Sequence, residues 1–177
     1  MTGHICEIAQ LGAPVLRELS EPVEQVSSPE IRQIIHDMIN TLTSTQGVGL
    51  AAPQISQLKQ IIIVGSRPTA RYPHAPLMTP TVMVNPGFEP LSDVKEKDWE
   101  GCLSIPGIRA LVPRYKIIKA IFTDRYGNRV EQIYEDFIAR VFQHEADHLD
   151  GKVYLDRVET SLDIISESEY FKLFAQS

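Results

Sequence analysis

The stretch that most constrains this chain is Phe142-Gln143-His144-Glu145-Ala146-Asp147-His148-Leu149. Two histidines four positions apart lie on one face of a helix, a turn from each other, so both imidazoles can bind one cation while Glu145 stands beside the open coordination position. The pattern predicts a helix from Asp136 to Asp150, ended by Gly151, where left-handed backbone is needed. Phe137, Ile138, Val141, Phe142 and Leu149 form its apolar stripe, with His144, Glu145 and His148 in or beside it and Arg140, Gln143 and Asp147 on the opposite side. The candidate ligands therefore point inward, where low dielectric strengthens metal bonding and an unpaired glutamate is costly. Ordinary core or helix-surface histidines are the plain alternative, but a pair at ligand spacing around a glutamate favours a metal.

A chain of 177 residues with 43% hydrophobic content suits one domain over residues 1–177. The net charge of -6, with no basic block, argues against nucleic-acid binding. No run has the apolar length of a signal peptide or membrane span, which points to a cytoplasmic protein whose two cysteines, Cys6 and Cys102, are thiols.

Along the chain, Ala13 to Leu19 reads as a short helix with Pro14 in its first turn. From Pro29 to about Thr45, Ile31, Ile34, Ile35, Met38, Ile39 and Leu42 recur at helical spacing behind a Ser28-Pro29 start. Strands are expected at Gln60 to Gly65 and Thr81 to Phe88, separated by a proline-rich surface loop over 66–80. That loop is expected to overhang the cleft and to move on binding. The mixed charges of Asp93 to Asp98 read as a solvated turn. Arg109 to Val112, Tyr115 to Thr123 and Arg129 to Tyr134 read as strands, the last two joined by a hairpin at Asp124 to Asn128. Residues 159–177 hold Leu162, Ile164, Ile165, Tyr170, Phe171 and Phe174 among acids, as a terminal helix packed on the body would. Strands followed by the histidine helix give an α+β fold, with antiparallel sheets wrapped around a central C-terminal metal-binding helix.

Two histidines leave a tetrahedral site in need of a third protein ligand, and Cys102, beside Gly101, is the sharpest candidate. A buried free cysteine is the alternative, and Cys6 fits it better. An extended His-Glu-x-x-His-x-x-Gly-x-x-His motif fails, because Tyr154 stands where the third histidine belongs. A zinc metallopeptidase would draw its ligand from downstream, where Glu159, Glu167 and Glu169 are available. Gly47-Val48-Gly49-Leu50-Ala51-Ala52-Pro53-Gln54 lacks side chains where backbone must approach something closely, and the Gln54 amide could donate to a developing oxyanion.

That segment, together with Glu100-Gly101-Cys102-Leu103-Ser104 and His144-Glu145-Ala146-Asp147-His148, resembles the bacterial peptide deformylases, whose three motifs it matches in order. The resemblance implies an α+β fold and removal of the N-formyl group from the initiator methionine of nascent polypeptides. It implies one divalent metal on Cys102, His144 and His148, typically Fe(II), with Zn(II) or Ni(II) able to replace it. Glu145 would be the general base, and the Leu103 N–H and the Gln54 amide would bind the oxyanion. Val48 and Gly101 would offer main-chain hydrogen bonds to the N-formylmethionyl peptide in the manner of an added strand, and Gly49 is counted with them as substrate-binding. Val48, Phe137, Val141 and His144 would border the methionine pocket, and Arg109 would reach the peptide beyond methionine. Arg140 departs from the aliphatic residue some members carry at the pocket's outer wall, and Glu100, Arg114 and Asp147 look like partners that orient the ligands. Some relatives meet the ribosome by the C-terminal end, but Lys172 is the only basic residue of 159–177 here. A non-catalytic peptide-binding relative would show a damaged motif, and a structural metal module would need a fourth protein ligand; all three motifs are intact.

Overall fold

The computed structural model describes residues 2–175. A 3-10 turn at Pro14–Arg17 precedes helix α1, Pro29–Thr43. Ser28 caps α1 by accepting the Ile31 N–H at 3.3 Å, Pro29 fills a first-turn position that needs no donor, and Ile31, Ile34, Ile35, Met38 and Leu42 are buried. There follow β1 (Gly49–Ala51), a 3-10 turn (Ala52–Ile55), β2 (Ile61–Ser66), β3 (Met78–Pro90), β4 (Lys95–Cys102), β5 (Ile105–Tyr115), β6 (Ile117–Thr123) and β7 (Arg129–Glu135). Helix α2, Asp136–Leu149, comes next, and β8 (Ile164–Ser166) and α3 (Glu167–Ala175) close the described chain. All strand pairs are antiparallel, in a five-stranded sheet ordered β1-β2-β3-β6-β7 and a three-stranded sheet ordered β4-β5-β8. Among the described residues no helix is long and apolar enough to cross a membrane, and both cysteines are free thiols.

Helix α2 lies between the two sheets. Its apolar side, Ala139, Val141, Phe142 and Leu149, packs on Ile62, Val64, Met83, Ile118, Ala120 and Phe122 of the five-stranded sheet. The side expected to be polar is buried as well. Arg140, Gln143 and Asp147 face β4 and β5 at 4–6% exposure, where Gln143 exchanges hydrogen bonds with the Tyr115 backbone at 3.0 and 2.8 Å. A polar helix face can be buried because charged and amide groups on the second sheet satisfy it.

Three local expectations are corrected. The Asp93 to Asp98 segment is a turn only at its start, since β4 begins at Lys95 and pairs Lys95, Glu96 and Lys97 with Tyr115, Arg114 and Pro113. Lys97 finds its partners outside the strand pair, in Glu159 and Asp163 at 2.6 and 2.8 Å, while Lys95 lies over the ring of Tyr115 opposite it. The proline-rich loop is shorter than 66–80, because Ser66 ends β2 and Met78 starts β3. Pro80 lies inside β3 at a register irregularity between Val64 and Ser66, where a missing N–H breaks no regular ladder. The tail beyond 159 is strand and then helix: the β-branched Ile164 and Ile165 pair with Ala110 and Arg109 of β5 before α3 begins.

Candidate metal and active site

Two elements bring the candidate ligands together. Helix α2 stacks the His144 and His148 rings with centroids 5.3 Å apart. Cys102 ends β4, where the chain turns tightly back into β5 with Ile105 opposite it. The thiol and one nitrogen from each ring all lie within 4.8 Å of one another, and Cys102 Sγ is 3.4 Å from His148 Nε2. His148 is fully buried and His144 is 8% exposed.

Orientation is set from behind. Glu100 Oε1 accepts from His144 Nδ1 at 2.8 Å, which turns the other ring nitrogen toward Cys102. The Glu100 carboxylate also accepts from Arg114 at 2.9 and 3.0 Å and from Arg140 at 2.9 Å, while Arg114 reaches Asp147 at 2.6 Å. Burial alone would raise the Glu100 pKa, but the Arg114 charge and its hydrogen bonds with His144 and Arg114 hold it far below the ordinary carboxylate value. Arg157 completes the chain of charges on Asp147 at 2.7 Å.

The electrostatics of the triad fit a cation. Burial pushes the Cys102 thiol up, yet the His148 charge and hydrogen bonds to both histidines outweigh it and favour the thiolate. His144 is drawn well above its usual value by Cys102 and Glu100 in spite of burial. A thiolate with two imidazoles is a donor set for a borderline divalent ion.

Glu145 stands beside this triad at 5% exposure, its pKa pushed up to about 7, mainly by burial. Its Oε2 is buried without a hydrogen-bond partner among the described residues, as a carboxylate waiting on a water or substrate proton would be. Gly49 explains where that carboxylate fits, because a Cβ at this position would collide with Glu145 Oε1. Gly101 does the same for Arg109, whose guanidinium occupies the space a side chain would take.

Gln54 is 2% exposed and fixed at both ends: its Oε1 accepts the Ala51 N–H at 2.9 Å, and its Nε2 donates to Ser104 Oγ at 3.1 Å and toward Cys102 Sγ at 3.5 Å. Leu103 follows Cys102 directly and lines the same cavity. That cavity also gathers Val48, Gly49, Gly101, Phe137, Val141, Arg109 and Arg140, so every candidate site residue lies in or beneath one cleft. Arg140 is held less as pocket wall than as a strut, because its guanidinium donates to Glu100 and to the carbonyls of Val112 and Glu96, both at 2.6 Å.

Sequence reasoning gave no role to Arg71, Tyr72 or Ser104 and weighed Glu167 only as a downstream metal ligand. Tyr72 packs on Phe137 with ring centroids 4.8 Å apart, and burial pushes its phenol up to about 12. No periodicity marks a residue in a proline-rich loop, whereas Ser104 stood inside a motif and was legible there. The downstream glutamates are committed elsewhere: Glu159 to Lys97, Glu167 to Arg109 and Glu169 to Lys172.

Comparison with known proteins agrees with this geometry. Peptide deformylase 2 of Nostoc sp. is 49% identical over 177 residues, all of this chain and 99% of its own length. Peptide deformylase 1 of Bordetella pertussis is 49% identical over 151 residues, 85% of this chain and 86% of that protein. A Met-Ala-Ser-bound crystal structure of a class I type b peptide deformylase from Acinetobacter baumannii superposes with a TM-score of 0.85 at 37% identity, covering 89% of this chain and 100% of that one. An actinonin complex of the Synechococcus elongatus peptide deformylase gives a TM-score of 0.78 at 36% identity, covering 89% and 81%. The polypeptide deformylase family profile matches residues 5–162, and with the half-buried thiol and paired imidazoles beside Glu145 it establishes that this chain belongs to the polypeptide deformylase family.

Proposed function

We propose that this chain hydrolyses the N-formyl group from the terminal methionine of newly made polypeptides, releasing formate and a free α-amine. The observation that carries the reading is the convergence of Cys102, His144 and His148 beside a buried carboxylate with an unpartnered oxygen. A divalent cation held there, Fe(II) in the family's usual form or Zn(II) or Ni(II), would acidify a water and polarise the formyl carbonyl.

The remaining chemistry belongs to the chain. Glu145 takes the water's proton as oxygen attacks the formyl carbon, and returns it to the departing amine. Its raised pKa suits both steps, since a group near neutrality can accept and release. The Gln54 amide, held by Ala51 and Ser104, and the Leu103 N–H donate to the developing oxyanion. Glu100 keeps the His144 ring turned toward the cation.

The peptide would lie between two sheet edges, because β1 pairs only with β2 and β4 only with β5 among the described strands. The Val48 carbonyl is committed to the Gly65 N–H at 2.8 Å. Successive strand residues present their backbone groups to opposite sides, so Gly49 is the better placed of the two to pair with a peptide at the open edge. Phe137 and Val141 offer apolar wall for an unbranched thioether side chain. An acidic chain, with Lys172 the only base of residues 159–177, gives no electrostatic support for a ribosome contact by that end.

Formate release from formyl-Met-Ala-Ser, with metal content measured on the same anaerobic sample, tests the reading. Metal without formate would mean a structural site, and cleavage of internal bonds would mean a peptidase. Glu145→Gln should keep the metal and lose turnover by about 10³-fold.

A further inference from the structure

Arg109 is only 2% exposed, yet it lies in the cleft against Gly101 and not in the apolar core. What holds it there comes from the far end of the sequence. Pairing of β8 with β5 sets Ile165 opposite Arg109 and Ser166 opposite Ile108, which delivers Glu167, the first residue of α3, to the guanidinium. Glu167 Oε2 accepts from Arg109 Nε at 3.0 Å and from Nη2 at 2.7 Å, and its Oε1 accepts from Arg71 at 3.4 Å. The third nitrogen, Nη1, donates to the Tyr72 hydroxyl at 3.2 Å and is the atom closest to the missing Gly101 side chain. Tyr170 of α3 ties the same loop down by donating to the Arg71 carbonyl at 2.7 Å.

We propose that Glu167 is a positioning residue for the peptide beyond methionine: by gripping Nε and Nη2 of Arg109 it fixes the planar guanidinium so that Nη1 faces the edge of β4 at Gly101, where a bound peptide's backbone passes. The inference rests on the deformylase reading and on Arg109 meeting the peptide there. It assigns the C-terminal strand and helix a part in substrate length recognition. A guanidinium loses less entropy per hydrogen bond when its fork is already set, so the Glu167 pair raises affinity for a carbonyl without touching the reacting atoms. Net charge supports the arrangement: one carboxylate shared by Arg109 and Arg71 leaves the pair cationic and still able to donate to a peptide carbonyl.

The test compares formyl-Met-Ala-Ser with formyl-methionine amide, which ends at the first residue, in the metal-loaded wild type, E167Q and E167D. Wild-type formate release from either substrate establishes the reaction independently of this inference. The expected result for E167Q is a fall of about tenfold in the ratio of kcat/KM for the longer to the shorter substrate, carried by KM rather than kcat. E167D keeps the charge one methylene short and should restore part of that ratio; it gives the same reading if E167Q proves too unstable to assay. An unchanged ratio, or equal losses on both substrates, overturns the assignment.

Discussion

Gly49 and Glu145 compete for one small volume beside the triad, and the absence of a side chain on the first decides the position of the second. Gly49 is buried on β1 and opposite Val64, so the strand cannot back away from an added methyl without disturbing its pairing with β2. In Gly49→Ala the carboxylate must therefore move. Displacements near 1 Å in a catalytic group cost about 10²-fold in rate, and that is the loss expected in kcat. The three atoms nearest an added Cβ all belong to Glu145 and none to a metal ligand, so metal content on the same sample should stay at the wild-type ratio. Wild-type kcat in this variant would show that the position of Glu145 is set by something else. The two-glycine segment signalled a close approach in the sequence, but only the structure says that the approaching group is the candidate base itself. Gly101 shows the same limit, since its partner Arg109 is eight positions on in sequence and adjacent only because β4 and β5 pair.

At the scale of elements, helix α2 is where legible and illegible features meet. Its bounds, its apolar stripe and its histidine face follow from spacing within the segment, as does α1 from its Ser28 cap and isoleucine periodicity. The fate of Arg140, Gln143 and Asp147 does not, because a polar helix face is solvated or buried according to what the rest of the chain lays against it. Here that is β4 and β5, and β4 was itself obscured by a charged stretch whose partners lie at Glu159 and Asp163. Pro80 hid the start of β3 for a related reason: a proline is compatible with a strand only at an irregularity, which is a property of the pair and not of the segment. Arg140 tests how far this buried polar layer supports the helix. Arg140→Leu would strip Glu100 of one cation and leave the Val112 and Glu96 carbonyls without their donor. Removing one member of a buried charged cluster destabilises by about 3 kcal/mol or more, so the denaturant midpoint should fall accordingly with the slope unchanged. A loss below about 1 kcal/mol would mean that the layer is wet and that Arg114 alone is enough for Glu100.

On the scale of the whole molecule, the candidate metal site joins parts whose other contacts are polar ones from helix α2 and a few apolar ones at the margins, such as Tyr115 of β5 against Phe88. Cys102 belongs to the three-stranded sheet, whereas the two histidines ride on a helix whose apolar side is embedded in the five-stranded sheet. The contacts between that helix and the smaller sheet include the ion pairs of Glu100, Arg114, Arg140 and Asp147, the Gln143 amide and the Tyr115 ring, while Ile105, Ala110, Val112 and Tyr154 form a separate apolar core. A cation bound by all three side chains would therefore cross-link the two halves in the folded state and have no such site in the unfolded chain. Ligand binding to the native state alone stabilises it by about 2.7 kcal/mol at a hundred times the dissociation constant. For a chain of this length 1 kcal/mol moves the melting temperature by about 2–4 °C, so stripping the metal should lower it by roughly 5–10 °C, and re-addition of Fe(II) or Zn(II) should restore it. Cys102→Ser should melt like the stripped wild type and respond little to added metal, because a hydroxyl is a poor replacement for a thiolate toward such ions. Equal melting temperatures before and after verified metal removal would show that the sheets hold the triad in place unaided, and that the ion contributes to chemistry and not to the joining of the fold.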